Sequence, residues 1–259
     1  MSQIKYLIIA CLLLAVGGCS LLPDKIDETK NWSANKLYTE AKDSIDSGDF
    51  VQGAKYLESL QARYPTGRLA QQAQLDIIYA YYRDNEPAAA IAAADRFIKL
   101  HPRHPYVDYA YYLKGLTSFN QGKGLFERYV PQDATQRDPG AARQSFQDFT
   151  ELTKRFPKSK YAEDATLRMA YLRNNLAQYE VNVANYYMKR EAYLAAANRG
   201  KYVVENYQRT PAMPEALAVM AKAYKVMGLN DLSNDALRVL ELNYPDNPGI
   251  AEVKNLVVK

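Results

Sequence analysis

Gly53-Ala54-Lys55-Tyr56-Leu57-Glu58-Ser59-Leu60-Gln61-Ala62-Arg63-Tyr64-Pro65-Thr66-Gly67-Arg68-Leu69-Ala70-Gln71-Gln72-Ala73 holds the punctuation from which the architecture of this chain is read. A helix-period pattern runs up to Arg63-Tyr64 and stops at Pro65, because proline has no N–H to give to a continuing helix. A second helix-period pattern opens after Gly67. Similar punctuation returns at Leu100-His101-Pro102, Arg155-Phe156-Pro157, Asn206-Tyr207-Gln208 and Asn243-Tyr244-Pro245, at intervals of 37, 55, 51 and 37 residues.

Side chains test that register. Twelve residues before each mark stand Gly53, Ala90, Ser145, Ala196 and Ser233, all small. Five residues before stand Leu60, Phe97, Leu152, Val203 and Leu240, all large and apolar. The two positions are seven apart, so they share one helix face. Eight residues after the first four marks stand Ala73, Ala110, Ala165 and Ala216. A small residue admits a neighbouring helix, and the large one fills the space beside it.

The pattern predicts an all-α protein, a superhelical stack of about five tetratricopeptide-like helical hairpins. They fall at about 34–65, 67–102, 105–157, 159–208 and 211–245. The third carries an insertion near Gln121 to Pro139, whose Gly, Pro, Asp and Gln read as a surface loop. Tyr161 to Lys189 contains no Gly or Pro and predicts a long helix that joins two halves. Asp246 to Lys259 predicts a short final helix that caps the stack.

Of 259 residues, 48% are apolar, ample for a core. The net charge of +4 balances 33 basic against 29 acidic residues, and no basic run points to nucleic acid. The two cysteines, Cys11 and Cys19, leave the rest of the chain without a thiol, which excludes a disulfide framework, a Cys-based zinc cluster and a Cys nucleophile there. The two histidines, His101 and His104, sit in one Pro-rich turn, too few for a metal site or a dispersed Ser-His-Asp triad. Gly122-Lys123-Gly124 lacks the spacing of a phosphate-binding loop, and no G-x-S-x-G occurs. No enzyme, metal or cofactor is expected.

The N-terminus carries Lys5, then an almost wholly apolar run from Tyr6 to Val16. That run is shorter than the ~20 residues a transmembrane helix needs, and it fits the core of a secretory signal. Val16-Gly17-Gly18-Cys19 resembles the lipobox of bacterial lipoproteins, with Val where Leu is commoner. The resemblance implies cleavage before Cys19 and lipidation of Cys19. Each buried CH₂ contributes about 0.8 kcal/mol, so two or more acyl chains would hold the protein on a membrane without a spanning helix. Ser20, in place of Asp, implies the outer membrane by resemblance to enterobacterial sorting. The expected organisation is a signal peptide at 1–18, a lipidated Cys with a flexible tether at 19–33, N-terminal repeats at 34–157, and C-terminal repeats with the capping helix at 158–259.

Twenty-two tyrosines cluster as Tyr79, Tyr81, Tyr82; Tyr109, Tyr111, Tyr112; and Tyr186, Tyr187. Most suit packing between repeats, ring buried and hydroxyl wet. Three within four residues cannot share one helix face, so a minority is left for partners.

Several stretches together resemble one family, the BamD (ComL) lipoproteins of the outer-membrane β-barrel assembly machinery. They are Arg63-Tyr64-Pro65-Thr66-Gly67, Gln71 to Tyr82, Asp95-Arg96-Phe97-Ile98, His104-Pro105, Asp108-Tyr109, Arg137-Asp138-Pro139, Ala177-Gln178-Tyr179-Glu180, Val183-Ala184 and Tyr186-Tyr187. The match spans about 34–245. It implies a periplasmic lipoprotein on the inner leaflet of the outer membrane. The C-terminal repeats would dock the POTRA region of BamA, with Arg199 gripping an acidic residue. The N-terminal repeats would receive unfolded barrel precursors in a groove holding Tyr64, Gly67, Gln74 and Tyr79. BamC and BamE-like lipoproteins would bind elsewhere. The residues leave one alternative open, a tetratricopeptide lipoprotein that serves peptidoglycan enzymes or DNA uptake.

Overall fold

A computed structural model describes residues 28–121 and 133–257. The signal segment 1–18, Cys19, the first part of the tether and residues 122–132 of the insertion lie outside the described residues. The rest is helical: α1 (Ala34–Ser47), α2 (Phe50–Arg63), α3 (Arg68–Arg83), α4 (Pro87–Leu100), α5 (Val107–Asn120), a 3₁₀ turn η1 (Ala134–Gln136), α6 (Gly140–Arg155), α7 (Ala162–Lys189), α8 (Tyr193–Asn206), α9 (Met213–Val226), α10 (Asn230–Asn243) and α11 (Gly249–Lys254). Helices α1 to α10 form five antiparallel hairpins, and each packs on the next.

One device ends every second helix. Tyr64, His101, Phe156, Tyr207 and Tyr244 all leave the helix with φ between −141° and −123° and ψ between 41° and 68°. Each gives its N–H, at 2.8 Å, to the carbonyl of Leu60, Phe97, Leu152, Val203 or Leu240. Four of these residues precede proline, which drives its predecessor out of the helical region. Tyr207 precedes Gln208 instead, and there Arg209 turns the chain with φ 62°.

A second device closes the hairpin tips. Gly48, Asn85, Glu191 and Gly228 take φ of 91°, 60°, 60° and 74°. The next residue's N–H reaches back to a carbonyl of the preceding turn, from Asp49 to Ser44, Glu86 to Tyr81, Ala192 to Tyr187 and Leu229 to Tyr224. This is the Schellman closure, which satisfies end carbonyls that a helix leaves orphaned.

The three sequence offsets are the packing itself. Gly53, Ala90, Ser145, Ala196 and Ser233 are all buried. Ser145 Oγ donates to Gly115 O at 2.9 Å and Ser233 Oγ to Ala221 O at 2.8 Å, tying second helix to first. Leu60, Phe97, Leu152, Val203 and Leu240 are at most 1% exposed, and Ala73, Ala110, Ala165 and Ala216 are fully buried. Helix α7 serves two cores. Ala165 and Leu172 pack with hairpins two and three, whereas Ala177, Val181 and Ala184 pack with α8 and α9. The short α11 caps the last hairpin through Val253, and Lys225 Nζ donates to Val253 O at 2.7 Å.

Two expectations change. The end of the tether, residues 28–33, is held against the first hairpin. Arg63 donates to Thr29 O and, at 2.8 Å, to Thr29 Oγ1. Tyr64 OH donates to Trp32 O at 3.0 Å, and the Trp32 ring lies 5.4 Å from Tyr56. The end of the insertion is likewise strapped down. Asn182 of α7 donates to Thr135 O and Oγ1 at 3.2 and 2.9 Å, and Pro139 is buried. Polar composition pointed to solvent, but those polar groups found partners on the stack.

At Gly53 an added Cβ would stand 2.6 Å from Ile45 Cγ1 and 3.2 Å from Ala41 O. Gly53→Val therefore forces α1 and α2 apart and should cost about 1–3 kcal/mol, the range for overpacking a tight core. Urea unfolding followed by circular dichroism measures it; a loss within 0.5 kcal/mol, the usual range of surface changes, would show that the hairpin does not need this close approach.

Candidate protein-binding surfaces

The two faces of α3 differ. Gln74, Ile77 and Tyr81 line a trough between α2 and α4, with a cavity of about 570 Å³. Its polar members are Glu58, Gln61 and Arg96. Tyr81 OH donates to Glu58, and Gln74 Oε1 accepts from His101 Nε2 at 2.7 Å. Gln61 Nε2 is buried with no acceptor, the single such side-chain atom among the described residues. A buried donor without a partner carries a desolvation cost that an incoming carbonyl would relieve.

The other face of α3 belongs to a tyrosine ladder along the first helices of successive hairpins. Tyr38 of α1 donates to Asp76 of α3 at 2.8 Å. Tyr82 of α3 accepts from Asn120 of α5 at 2.8 Å. Tyr112 of α5 donates to Asp164 of α7 at 2.9 Å and stacks on Tyr161 at 4.6 Å. Burial first, then the carboxylate partner, raises the Tyr38 and Tyr112 hydroxyls above their ordinary pKa, so they stay protonated donors. The ladder ends in the half-exposed Tyr171, whose ring is 5.8 Å from Phe119.

At the joint of the two halves, α7 buries a carboxylate. Glu180 is 1% exposed. Its Oε1 accepts from Arg143 Nη2 of α6 at 2.9 Å, and its Oε2 from Arg199 Nη1 of α8 at 2.8 Å. The two arginine side chains are 45% and 43% exposed. One negative and two positive charges leave the cluster with a net positive charge that faces water. The carboxylate hydrogen bond holds the Arg199 guanidinium above its already high pKa, and burial pushes the adjacent Tyr207 hydroxyl up to about 12.

The residues singled out by sequence do not share one site. Gln74 lines the trough. Tyr64, 39% exposed, and Gly67, with φ 95°, sit together in the turn between hairpins one and two. Tyr79 lies on the ladder face, edge-on to Phe50 at 6.3 Å, its hydroxyl accepting from Arg83 at 2.6 Å. Arg199 is no free surface cation, because Glu180 holds it. Sequence reasoning missed Glu180 and Arg143. The signal was present, since Leu172, Leu176, Glu180 and Ala184 recur every four residues on one buried stripe. Among the described residues no cluster of three or more His, Cys, Asp or Glu could hold a metal ion, and no helix is long and apolar enough to cross a membrane.

Comparison with known proteins gives these surfaces a context. Residues 30–240 match the YfiO family, described as outer membrane lipoprotein. Outer membrane protein assembly factor BamD of Neisseria meningitidis serogroup B is 47% identical over 94% of this chain and 92% of its own. The protein of that name from Vibrio cholerae is 37% identical over 87% of this chain and 92% of its own. A tetratricopeptide repeat protein from Parabacteroides merdae is 14% identical, with a TM-score of 0.39, over 85% of this chain and 72% of that one.

The Glu180 cluster makes an asymmetric prediction. Arg143→Ala with Arg199→Ala strands a buried carboxylate and should cost about 3–5 kcal/mol. Glu180→Gln strands only arginines that can turn to water, and should cost less than half as much. Thermal and urea melts of both variants decide it; equal losses would mean that the carboxylate is not the buried centre of the cluster.

Proposed function

The chain belongs to the YfiO family of outer membrane lipoproteins, to which it is matched alongside assembly factors named BamD, and on that premise we propose that it is a non-catalytic scaffold that hands unfolded β-barrel precursors to a BamA-like barrel. Cys19 carries the acyl anchor, on the inner leaflet of the outer membrane, and the repeats face the periplasm. The C-terminal half, from about 158, faces the POTRA region of BamA. Accessory lipoproteins of the BamC and BamE kinds use other faces of the stack.

The observation that carries the BamA contact is the net positive charge of the Arg143–Glu180–Arg199 cluster. Glu180 fixes one edge of the Arg199 guanidinium and the Tyr187 hydroxyl lies beside it, and the side chain, 43% exposed, still offers N–H groups to a partner's carboxylate. A pre-positioned arginine loses less side-chain entropy on binding than a mobile one.

The trough beside α3 suits the end of a barrel precursor. An extended, aromatic-ended chain needs a carbonyl partner, an apolar slot and a cation for its terminal carboxylate. Gln61 Nε2, the Ala89, Ala92, Ala93 and Phe97 wall, and the exposed Arg96 supply these. Gly67 lies two helical turns before Gln74, and Tyr64 two residues after Ala62, so both flank one end of the trough. Tyr79, on the opposite face, would act on a precursor that passes over the ladder.

Two measurements test this reading. C-terminally tagged protein, pulled from detergent-solubilised envelopes, should bring a BamA-like barrel in near-equal amount. Arg199→Gln keeps a donor for Glu180 but removes the cation, and should cut that yield about tenfold or more, as loss of a charge-assisted bond does, with helical content unchanged. Recovery of wall enzymes without the barrel would replace this function with a peptidoglycan adaptor. For the trough, Arg96→Glu should weaken a fluorescent peptide ending in a precursor's aromatic C-terminus about tenfold; undiminished binding would move the precursor to another face.

A further inference from the structure

The turns that link one hairpin to the next all lie along one edge of the stack, and the hairpin tips lie along the other. In the N-terminal half the two edges differ in charge. The linking turns and the helix ends beside them carry Arg63, Arg68, Lys99, Arg103, Lys154, Arg155, Lys158 and Lys160. The tips and the helix ends beside them carry Asp46, Asp49, Asp84, Glu86, Asp133 and Asp138 against Arg83 and Arg137 among the described residues.

Helix dipoles explain only part of this. Lys99, Lys154 and Arg155 occupy last turns, where a cation complements the helix end. Arg68 opens α3, where the dipole favours an acid, and Arg103, Lys158 and Lys160 lie in the turns themselves. Arg68, Lys99, Arg103, Lys154 and Lys158 are exposed, with no hydrogen bond or ion pair among the described residues. The acids of this edge are mostly engaged. Asp108 accepts from Ser159 at 2.6 Å, Glu151 pairs with Arg155 at 2.7 Å, and Glu163 alone stands exposed in the first turn of α7. Between the second and third linking turns lies a cavity of about 370 Å³ lined by His104, Asp108, Arg155, Phe156, Lys158 and Ser159.

The chain also enters the fold at this edge. Arg63 ties Thr29 to the first linking turn, and Tyr64 ties Trp32 there. Cys19 is nine residues before Glu28, so at full extension it lies within about 30 Å of Glu28, at about 3.3–3.6 Å per residue. On the reading of Cys19 as the acyl anchor, the chain that leaves the membrane meets the fold at its basic edge.

We propose that this edge docks on the anionic phospholipid head groups of the bilayer that carries the anchor, and that it orients the stack with its hairpin tips turned away from the membrane. Each cation near an anionic surface raises partitioning about fivefold, within about one Debye length. Several together would set an orientation that the anchor alone leaves open.

The test uses the mature full chain carrying Cys19→Ser, which cannot be acylated. It is sedimented with vesicles of phosphatidylcholine, and with vesicles in which about a third of the lipid is phosphatidylglycerol. Binding to the anionic vesicles should exceed binding to the neutral ones at least about twentyfold at low salt, roughly the effect of two cations, and decline as salt rises. Arg103→Glu with Lys158→Glu and Lys160→Glu should abolish the preference. Lys55→Glu with Arg173→Glu and Lys189→Glu, an equal change in charge away from the edge, should leave most of it. Loss in both triple variants would mean net charge and not the edge, and would overturn the proposal. No preference in the parent chain would point the edge at an acidic protein and overturn it too. The mass of the wild-type protein extracted from membranes reads acylation separately. An unacylated mass withdraws the anchor and this proposal with it, whereas an acylated mass without vesicle preference withdraws this proposal alone.

Discussion

Helix backbones in this stack approach so closely that one position on each second helix has no room for a side chain of ordinary size. Gly53, Ala90, Ser145, Ala196 and Ser233 occupy that position. Where the residue is serine it also bonds to a carbonyl of the first helix, so the tight contact is polar as well as steric. The large residue seven places later fills the wedge that opens beyond the crossing, and its carbonyl receives the N–H that ends the helix. Packing, helix length and the start of the next turn thus depend on one spacing. Each hairpin leaves an apolar face that only the next hairpin can cover, which is why such units occur in stacks.

The joint between the halves uses different physics. A buried carboxylate is costly to desolvate, and only the two arginines that reach it make Glu180 tolerable on the buried face of α7. Apolar contacts slide, but a fork of hydrogen bonds has direction. The cluster therefore specifies the seating of α6 and α8 on α7 more than it adds to stability. It also presents a fixed, partly exposed guanidinium, the kind of group a partner's carboxylate can find without reordering it.

Much of the fold was legible in the sequence because repetition samples one packing problem five times. The small, large and alanine positions, the hairpin limits and the long helix are all where the offsets put them. What escaped was non-local. Glu180 reads as one more solvated acid until Leu172, Leu176 and Ala184 place it on a buried stripe, and its partners lie 37 residues before and 19 after it. The groove residues were scattered for a related reason. Gln74 and Tyr79 sit five apart on one helix, a spacing that turns them to different faces. The basic edge was invisible as a run because its cations are contributed by three separate linking turns. The polar composition of 28–33 and of the insertion's end suggested freedom, yet Arg63 and Asn182 supplied partners that no local pattern announces.

Helix α7 bears on how the molecule folds. A boundary near residue 158 divides the repeats cleanly on paper, but the helix that follows lends Ala165 and Leu172 to one core and Ala177, Val181 and Ala184 to the other. Neither core is complete until this one helix has formed along its length. In a solenoid whose neighbours are only loosely coupled, ends can fray while the middle holds. Here the shared helix couples the middle to both ends. The halves should gain and lose structure as one cooperative unit, with fraying confined to the first and last hairpins.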